Sequence, residues 1–282
     1  MGFALIDSLS LPGNPAKPND DAFAHFERAA VVLDGATGLG DPLLPGDSDA
    51  AWIARFGANR LMAQLKAGAT AQAAVKAALE DAERSFKGLQ RRAPAETYEI
   101  PFAAMMLAVA RPGGFDALWF GDCAALVKRS DAPAFVVGEA FDKKSMESSY
   151  AARLAARTGL SPASSANRPE YLPALRKARN RANTIDGTWA FGPDARAAGH
   201  VRMKRVEAPS GTCVLVASDG FLALAGDYAR YDLDGLITAA ETKGLAELGR
   251  ELRAVEDGDP EGRKFPRFKT SDDATAVLLR VT

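Results

Sequence analysis

The stretch Val31-Val32-Leu33-Asp34-Gly35-Ala36-Thr37-Gly38-Leu39-Gly40-Asp41 (VVLDGATGLGD, residues 31–41) admits two structures. Its glycines imitate a dinucleotide loop, in which a tight turn opens a helix whose N-terminus holds a pyrophosphate. Alternatively, Val31-Val32-Leu33 is a strand that delivers Asp34 to a sharp turn at Gly35. The G-x-x-G-x-x-G fingerprint needs glycine at position 41, where Asp41 stands, and G-x-G-x-x-G is not matched either. The next residues, DPLLPGD (41–47), open no helix on the loop, so there is no helix dipole to hold a phosphate. An unneutralised Asp34 would also repel a pyrophosphate. An oxidoreductase built on this loop is therefore rejected, and Asp34 becomes an acid at a strand end.

Four more acidic positions share that setting. Asp20 and Asp21 precede the run AFAHF, Asp122 lies between the apolar runs GFDALWF and CAALVKRS, Asp219 follows GTCVLVAS, and Asp272 and Asp273 precede ATAVLLRV. A lone strand-Asp-Gly is ordinarily just a turn, so the weight rests on order and number. Carboxylates facing one another at a sheet edge repel unless a cation neutralises them, and hard oxygen donors select Mg²⁺ or Mn²⁺. With only His25 and His200 and no H-E-x-x-H, a zinc hydrolase has little support.

The rest of the chain bounds the problem. Its 282 residues are 47% hydrophobic and 25% charged, which suits a globular protein with an ample core. A net charge of -1 gives no electrostatic case for nucleic acid or an anionic membrane. Cys123 and Cys213 sit in apolar runs and read as buried thiols. The N-terminus MGFALIDSLSLPG lacks a basic region and a long apolar stretch, and Ile6 breaks the myristoylation motif that Gly2 suggests. No run is long enough to span a membrane, and a cytoplasmic location is the expectation.

Periodicity predicts the order of elements. Residues 4–11 form a strand, and Ala22–Phe26 and Ala29–Leu33 form a hairpin turning at Glu27-Arg28. A helix over 47–67, capped by Asp47, Ser48 or Asp49, precedes a second from Thr70 to about Leu89. Strands at 103–111, 114–122 and 123–130 make a meander. Residues 131–200 stand apart as a helical insertion or flap, with a helix near Lys143–Arg157, the stretch TGLSPASSANRPEY (158–171) and a basic LRKARNRAN. Strands resume at HVRMKRVEA and GTCVLVASDG, followed by one helix near Leu233–Val255 and a last strand, ATAVLLRV. The strands do not alternate with helices, so the expected class is α+β: an antiparallel β-sandwich flanked by helix pairs, one domain over 1–282.

Taken in order, Asn19-Asp20-Asp21, Asp34-Gly35-Ala36-Thr37-Gly38, Gly121-Asp122-Cys123, Ser218-Asp219-Gly220 and Asp272-Asp273-Ala274-Thr275 resemble the motifs of the type 2C, metal-dependent (PPM) protein phosphatases. The resemblance runs from about residue 5 to 281. It implies a four-layer α-β-β-α fold and a serine/threonine phosphatase in which metal-activated water attacks a phosphoserine or phosphothreonine of a protein substrate. It implies two Mg²⁺ or Mn²⁺ ions and a third, weaker site. Asp34 would bridge the two ions, with the Gly35 carbonyl on one. Asp219 and Asp272 would complete a metal site, Asp20 would hold the waters around the ions, and Asp122 would serve the third site. Asp21 and Asp273 would support these groups without binding metal directly.

The chain departs from the family pattern in three places. The arginine expected before the acidic pair to bind substrate phosphate is absent from Asn14-Pro15-Ala16-Lys17-Pro18. Either Lys17 replaces it, without the two-pronged geometry of a guanidinium, or Arg176, Arg179 or Arg181 reaches in from a stretch that otherwise reads as a solvated helix face. Ala36 occupies a position where some members carry a histidine acid. Gly-Asp-Cys-Ala replaces Gly-Asp-Ser-Arg at 121–124, and Cys123 has no recognisable base beside it. Two alternatives to a protein phosphatase follow: the same fold acting on another phosphomonoester, and a weak catalyst with a binding role centred on residues 131–200.

Overall fold

The computed structural model describes residues 1–159, 161, 163 and 171–282. Among the described residues ten strands form two five-stranded antiparallel sheets. One sheet runs β1 (Phe3–Leu11), β10 (Ala274–Val281), β9 (Cys213–Ala217), β6 (Ala124–Lys128), β7 (Phe135–Gly138). The other runs β2 (Asp21–Phe26), β3 (Ala29–Gly35), β4 (Ala103–Arg111), β5 (Gly114–Phe120), β8 (Arg202–Glu207). The expected α+β class and its antiparallel sandwich are therefore present.

The apolar strand runs are explained by burial on both faces. In β3, Ala30 and Val32 join Met106, Ala125, Val216 and Val277 between the sheets. Val31 and Leu33 point the other way, onto α1 (Asp49–Lys66) and α2 (Ala71–Leu89). On the opposite side Leu126, Leu215 and Leu278 pack under α6 (Leu233–Lys243) and α7 (Leu245–Asp257). The layers are thus helix, sheet, sheet, helix. Three large buried clusters, rather than one, carry most of the hydrophobic stabilisation among the described residues.

Helix ends follow the expected chemistry. Of the three possible caps of α1, Ser48 is the one used, its Oγ accepting from Ala51 N at 3.1 Å. Asp49 instead accepts from Leu43 N and Leu44 N at 2.6 and 3.1 Å and secures the preceding loop. Thr70 caps α2 through Ala73 N at 3.3 Å.

Two regions differ from the periodicity. The single helix expected over Leu233–Val255 is two helices, because Gly244 takes φ +85° and breaks the run. Within 131–200, residues Phe135–Gly138 are an edge strand paired to β6, and Phe191 bridges Ala103 and is fully buried under α1. The helical part includes α3 (Ala140–Thr158), α4 (Leu172–Arg179) and a 3₁₀ turn at Ala195–His200. Of the stretch 158–171, residues 160, 162 and 164–170 lie outside the described residues. Among the described residues no helix is long and apolar enough to cross a membrane.

Candidate active site

Strand register assembles the acids at one end of the sandwich. Asp21 opens β2 directly opposite Asp34 near the end of β3. In the facing sheet β10 pairs β9 with Ala276 opposite Ala217, which sets Ser218 beside Thr275: Ser218 N donates to Thr275 O at 2.9 Å, and Thr275 N to Ser218 Oγ at 3.0 Å. The next residue on that side, Asp219, begins the short α5 (Asp219–Leu222), and Asp272 and Asp273 lead into β10. Both sheets thus contribute carboxylates to the same edge.

Two glycines make the approach possible. A Cβ on Gly35 would stand 2.5 Å from the Ala50 carbonyl oxygen and 2.6 Å from that of Asp20, and one on Gly220 would stand 2.0 Å from the Asp273 carbonyl oxygen. No side chain fits at either position without moving backbone. The Gly35 N–H completes the closure by donating to Asp20 O at 3.1 Å.

Each carboxylate has a distinct setting. Asp20, 9% exposed, accepts from Thr37 Oγ1 at 3.2 Å and from Ser48 Oγ, the same hydroxyl that caps α1. Asp273 accepts from Gly13 N at 2.6 Å and Asp20 N at 2.7 Å, so it ties the N-terminal loop to the last strand. Asp21, 4% exposed, accepts from Ser218 Oγ at 2.8 Å through one oxygen, while its Oδ1 is buried without a partner. Asp219 is 6% exposed and lies within hydrogen-bonding reach of Asp34. Asp272 pairs with the Lys269 ammonium at 2.6 Å.

Crowding shows in the acidities. Burial, then the charges of Asp21, Asp219 and Asp272, push Asp34 well above the usual carboxylate range. Burial, opposed by the Ser218 hydroxyl and reinforced by Asp272 and Asp273, does the same to Asp21. Asp273 is raised by burial against its two backbone donors. Burial alone would lower the pKa of the Lys269 ammonium, but Asp272 and, further off, Asp34 and Asp273 carry it above the ordinary lysine value.

These residues fit a hard divalent cation. All the donors are oxygens, and a cation would offset the like charges of Asp21, Asp219 and Asp272 that bear on Asp34. Among the described residues no three acidic, histidine or cysteine side chains stand together at ligand spacing. The contacts are pairwise: Asp34 with Asp219, and Asp272 with Lys269.

The remaining expected residues are placed as follows. Asp122 lies on the turn between β5 and β6, where Gly121 takes φ +71° against Ala104. Its neighbour Cys123 is fully buried, and burial together with the charges of Asp34 and Asp122 raises the thiol well above its normal pKa. That is a packed, protonated thiol and not a nucleophile. Lys17 stands exposed on the turn before Asp20, its backbone N–H donating to Asn14 O at 3.0 Å. Of the arginines of the basic stretch, Arg176 and Arg179 face the loop after Gly35, and all three donate to backbone carbonyls. Arg176 Nε donates to Leu39 O at 2.8 Å and its guanidinium lies 4.8 Å from the Tyr98 ring centre. Arg179 donates to the carbonyls of Thr37 and Ala36, and Arg181 to that of Asp186.

A family model described as Protein phosphatase 2C matches residues 15–253. The chain belongs to the protein phosphatase 2C family. Solved structures show the same fold. The PPM Ser-Thr phosphatase MsPP from Mycobacterium smegmatis, solved in complex with cacodylate, has a TM-score of 0.57 at 17% identity, covering 100% of this chain and 99% of that one. Stp1, a serine/threonine phosphatase from Staphylococcus aureus, gives 0.57 at 16%, covering 100% and 97%. The catalytic domain of the serine threonine protein phosphatase PstP, solved with two manganese ions, gives 0.55 at 16%, covering 99% and 98%. No curated protein matches the sequence.

Within this protein phosphatase 2C chain, Thr37 and Ser218 lie inside the quoted motifs and Ser48 among the expected caps, but motif spacing gives none of them a role in holding an acid. Ser48 and Thr37 hold Asp20, and Ser218 holds Asp21. Lys269 holds Asp272 from three residues upstream, in a basic loop, RKFPRFK, whose charge was the available signal.

Proposed function

We propose that the chain is a Mg²⁺- or Mn²⁺-dependent protein serine/threonine phosphatase that hydrolyses phosphoserine or phosphothreonine by direct attack of water. The observation that carries this is the convergence of Asp34, Asp219, Asp21 and Asp272 from both sheets at one edge, where burial and then mutual repulsion raise the pKa of Asp21 and Asp34.

In this scheme Asp34 and the Gly35 carbonyl, with Asp219 and Asp272, would hold two divalent ions, and Asp122 a third and weaker one. When bound, such ions neutralise phosphoryl charge and bring the pKa of a coordinated water toward 7. Asp20, fixed by Ser48 and Thr37, accepts hydrogen bonds from ordered water and orients it. Asp21 and Asp273 do not bind the ions; they hold the ends of β10 and the N-terminal loop in place through Ser218, Gly13 and Asp20.

Lys17 is the cation that supports phosphate binding here. Arg176, Arg179 and Arg181 are engaged with backbone carbonyls, whereas Lys17 forms no ion pair among the described residues and lies on the turn that leads into Asp20. A lysine supplies charge without a two-pronged fit, so substrate binding rests more on electrostatics than on geometry. A phosphorylated protein is the natural partner. The test is hydrolysis of p-nitrophenyl phosphate and of a phosphothreonine peptide with Mn²⁺, Mg²⁺ or chelator, by wild type and Asp34→Asn. Metal-dependent turnover of both substrates, lost in the variant, supports the proposal. Turnover of the small ester alone assigns another phosphomonoester as substrate, and absence of metal binding removes the mechanism.

A further inference from the structure

Lys269 occupies one of the acids that the proposed function gives to metal. Its Nζ stands 2.6 Å from Asp272 Oδ1, and it also feels the charges of Asp34 and Asp273. The loop that carries it is fixed. Arg267, two residues earlier, is 8% exposed, pairs with Asp259 at 3.0 Å, and donates to the carbonyls of Phe265 at 3.0 Å and Thr270 at 2.9 Å. On the other side, the Asp273 side chain is tied to Gly13 N and Asp20 N. Lys269 lies between these two anchors, and its side chain is 37% exposed, so solvent reaches it.

Asp272 Oδ1 cannot serve a divalent ion while the ammonium is bound to it, and an ammonium will not remain beside a doubly charged ion. The same contact is favourable without metal, since it neutralises one charge in a crowded acidic cluster. We propose that Lys269 is a built-in counter-cation of the metal site, which a divalent ion displaces from Asp272, so that it weakens metal affinity while stabilising the metal-free fold. This rests on the metal-binding role given to the acids above.

The test is calorimetric titration of chelator-stripped protein with MnCl₂, alongside melting of the metal-free protein, for wild type, Lys269→Met, Lys269→Gln and Lys269→Arg. Met and Gln remove the charge from a half-exposed side chain by different chemistry, so a folding defect in one leaves the other informative. Both neutral variants are expected to bind Mn²⁺ roughly fivefold more tightly, the size of one partly screened ion pair, and to melt lower without metal. Lys269→Arg keeps the charge and stays within about twofold of wild type on the same scale. Unchanged or weaker Mn²⁺ binding in the neutral variants, with wild type binding normally, overturns the inference and leaves the metal site intact. Failure of every form, wild type included, to bind Mn²⁺ overturns the metal-binding role and this inference together.

Discussion

Asp34→Asn should make the metal-free protein more stable, although it removes the group on which the proposed chemistry most depends. Asp34 is raised by burial and by three neighbouring carboxylates, so at neutral pH it either carries an unfavourable charge or takes up a proton at a cost. Asparagine keeps the shape, carries no charge, and can still donate to Asp219. Two unit charges 4 Å apart are worth about 4 kcal/mol at an effective dielectric of 20. Proton uptake by wild type relieves part of that repulsion, which leaves a net gain of about 1–3 kcal/mol for the variant. For a chain of this size that is a rise in Tm of roughly 3–8 °C at pH 7.5. The pH dependence fixes the cause. A raised carboxyl pKa means that the folded state binds more protons than the unfolded one above the ordinary value of 3.8. Wild-type stability from this group is therefore full below that value and is lost as pH rises through the folded-state pKa. The gap between variant and wild type should close toward pH 4 and open toward neutrality. Added Mn²⁺ should reverse the order, raising the wild-type Tm and leaving the variant nearly unmoved. The assay is differential scanning fluorimetry from pH 4 to 8, with chelator and with Mn²⁺. A metal-free variant that melts below wild type at pH 7.5, or a gap that does not change with pH, would refute the account of the cluster as electrostatically strained.

Gly35→Ala should cost about 1–3 kcal/mol and most of the activity, because its Cβ meets two carbonyl oxygens within 2.6 Å; chemical denaturation and p-nitrophenyl phosphate turnover measure both. Arg267→Ala strips a buried partner from Asp259 and releases the loop before Asp272, so a loss of about 3–5 kcal/mol is expected in urea unfolding. Burial alone would raise Asp259, but the N–H groups of Phe265, Lys264 and Arg263 together with Arg267 hold it below its usual pKa. Its contribution should accordingly be present above the ordinary carboxylate pKa and fall away as pH drops through the lowered one, which acid titration of wild-type stability detects. Cys123→Ala should leave kcat within about twofold, and iodoacetamide should not inactivate wild type, since a buried protonated thiol does not attack. Lys17→Ala should raise KM for a phosphothreonine peptide about five- to tenfold with a smaller change in kcat, the signature of lost ground-state charge neutralisation.

The residues legible in the sequence are those whose environment is set locally. A short apolar run with an acid at its border marks a strand end whether or not its partner strand is known, so Asp34, Asp219 and Asp272 can be named, and their order along the chain points to the family. Ser48 could be listed as a cap of α1, but its second contact, with Asp20, depends on how β2 meets that helix, and spacing carries no trace of it. The same holds for Ser218 on Asp21, formed across 197 residues by the packing of one sheet on the other. The single helix expected near 233–255 failed for a different reason: the apolar stripe continues through Gly244, and only the φ of +85° there separates the two helices. Phe135–Gly138 is not legible as a strand because a four-residue edge strand has too few residues to show a period of two. Lys269 is the instructive case. In the sequence it is one cation in a basic loop, and such loops are ordinarily solvated faces. Its meaning depends on Arg267 fixing the loop and on Asp272 standing three residues on. Where acids are crowded at a sheet edge, the nearest basic loop is therefore the place to look for the charge that balances them when no metal is bound.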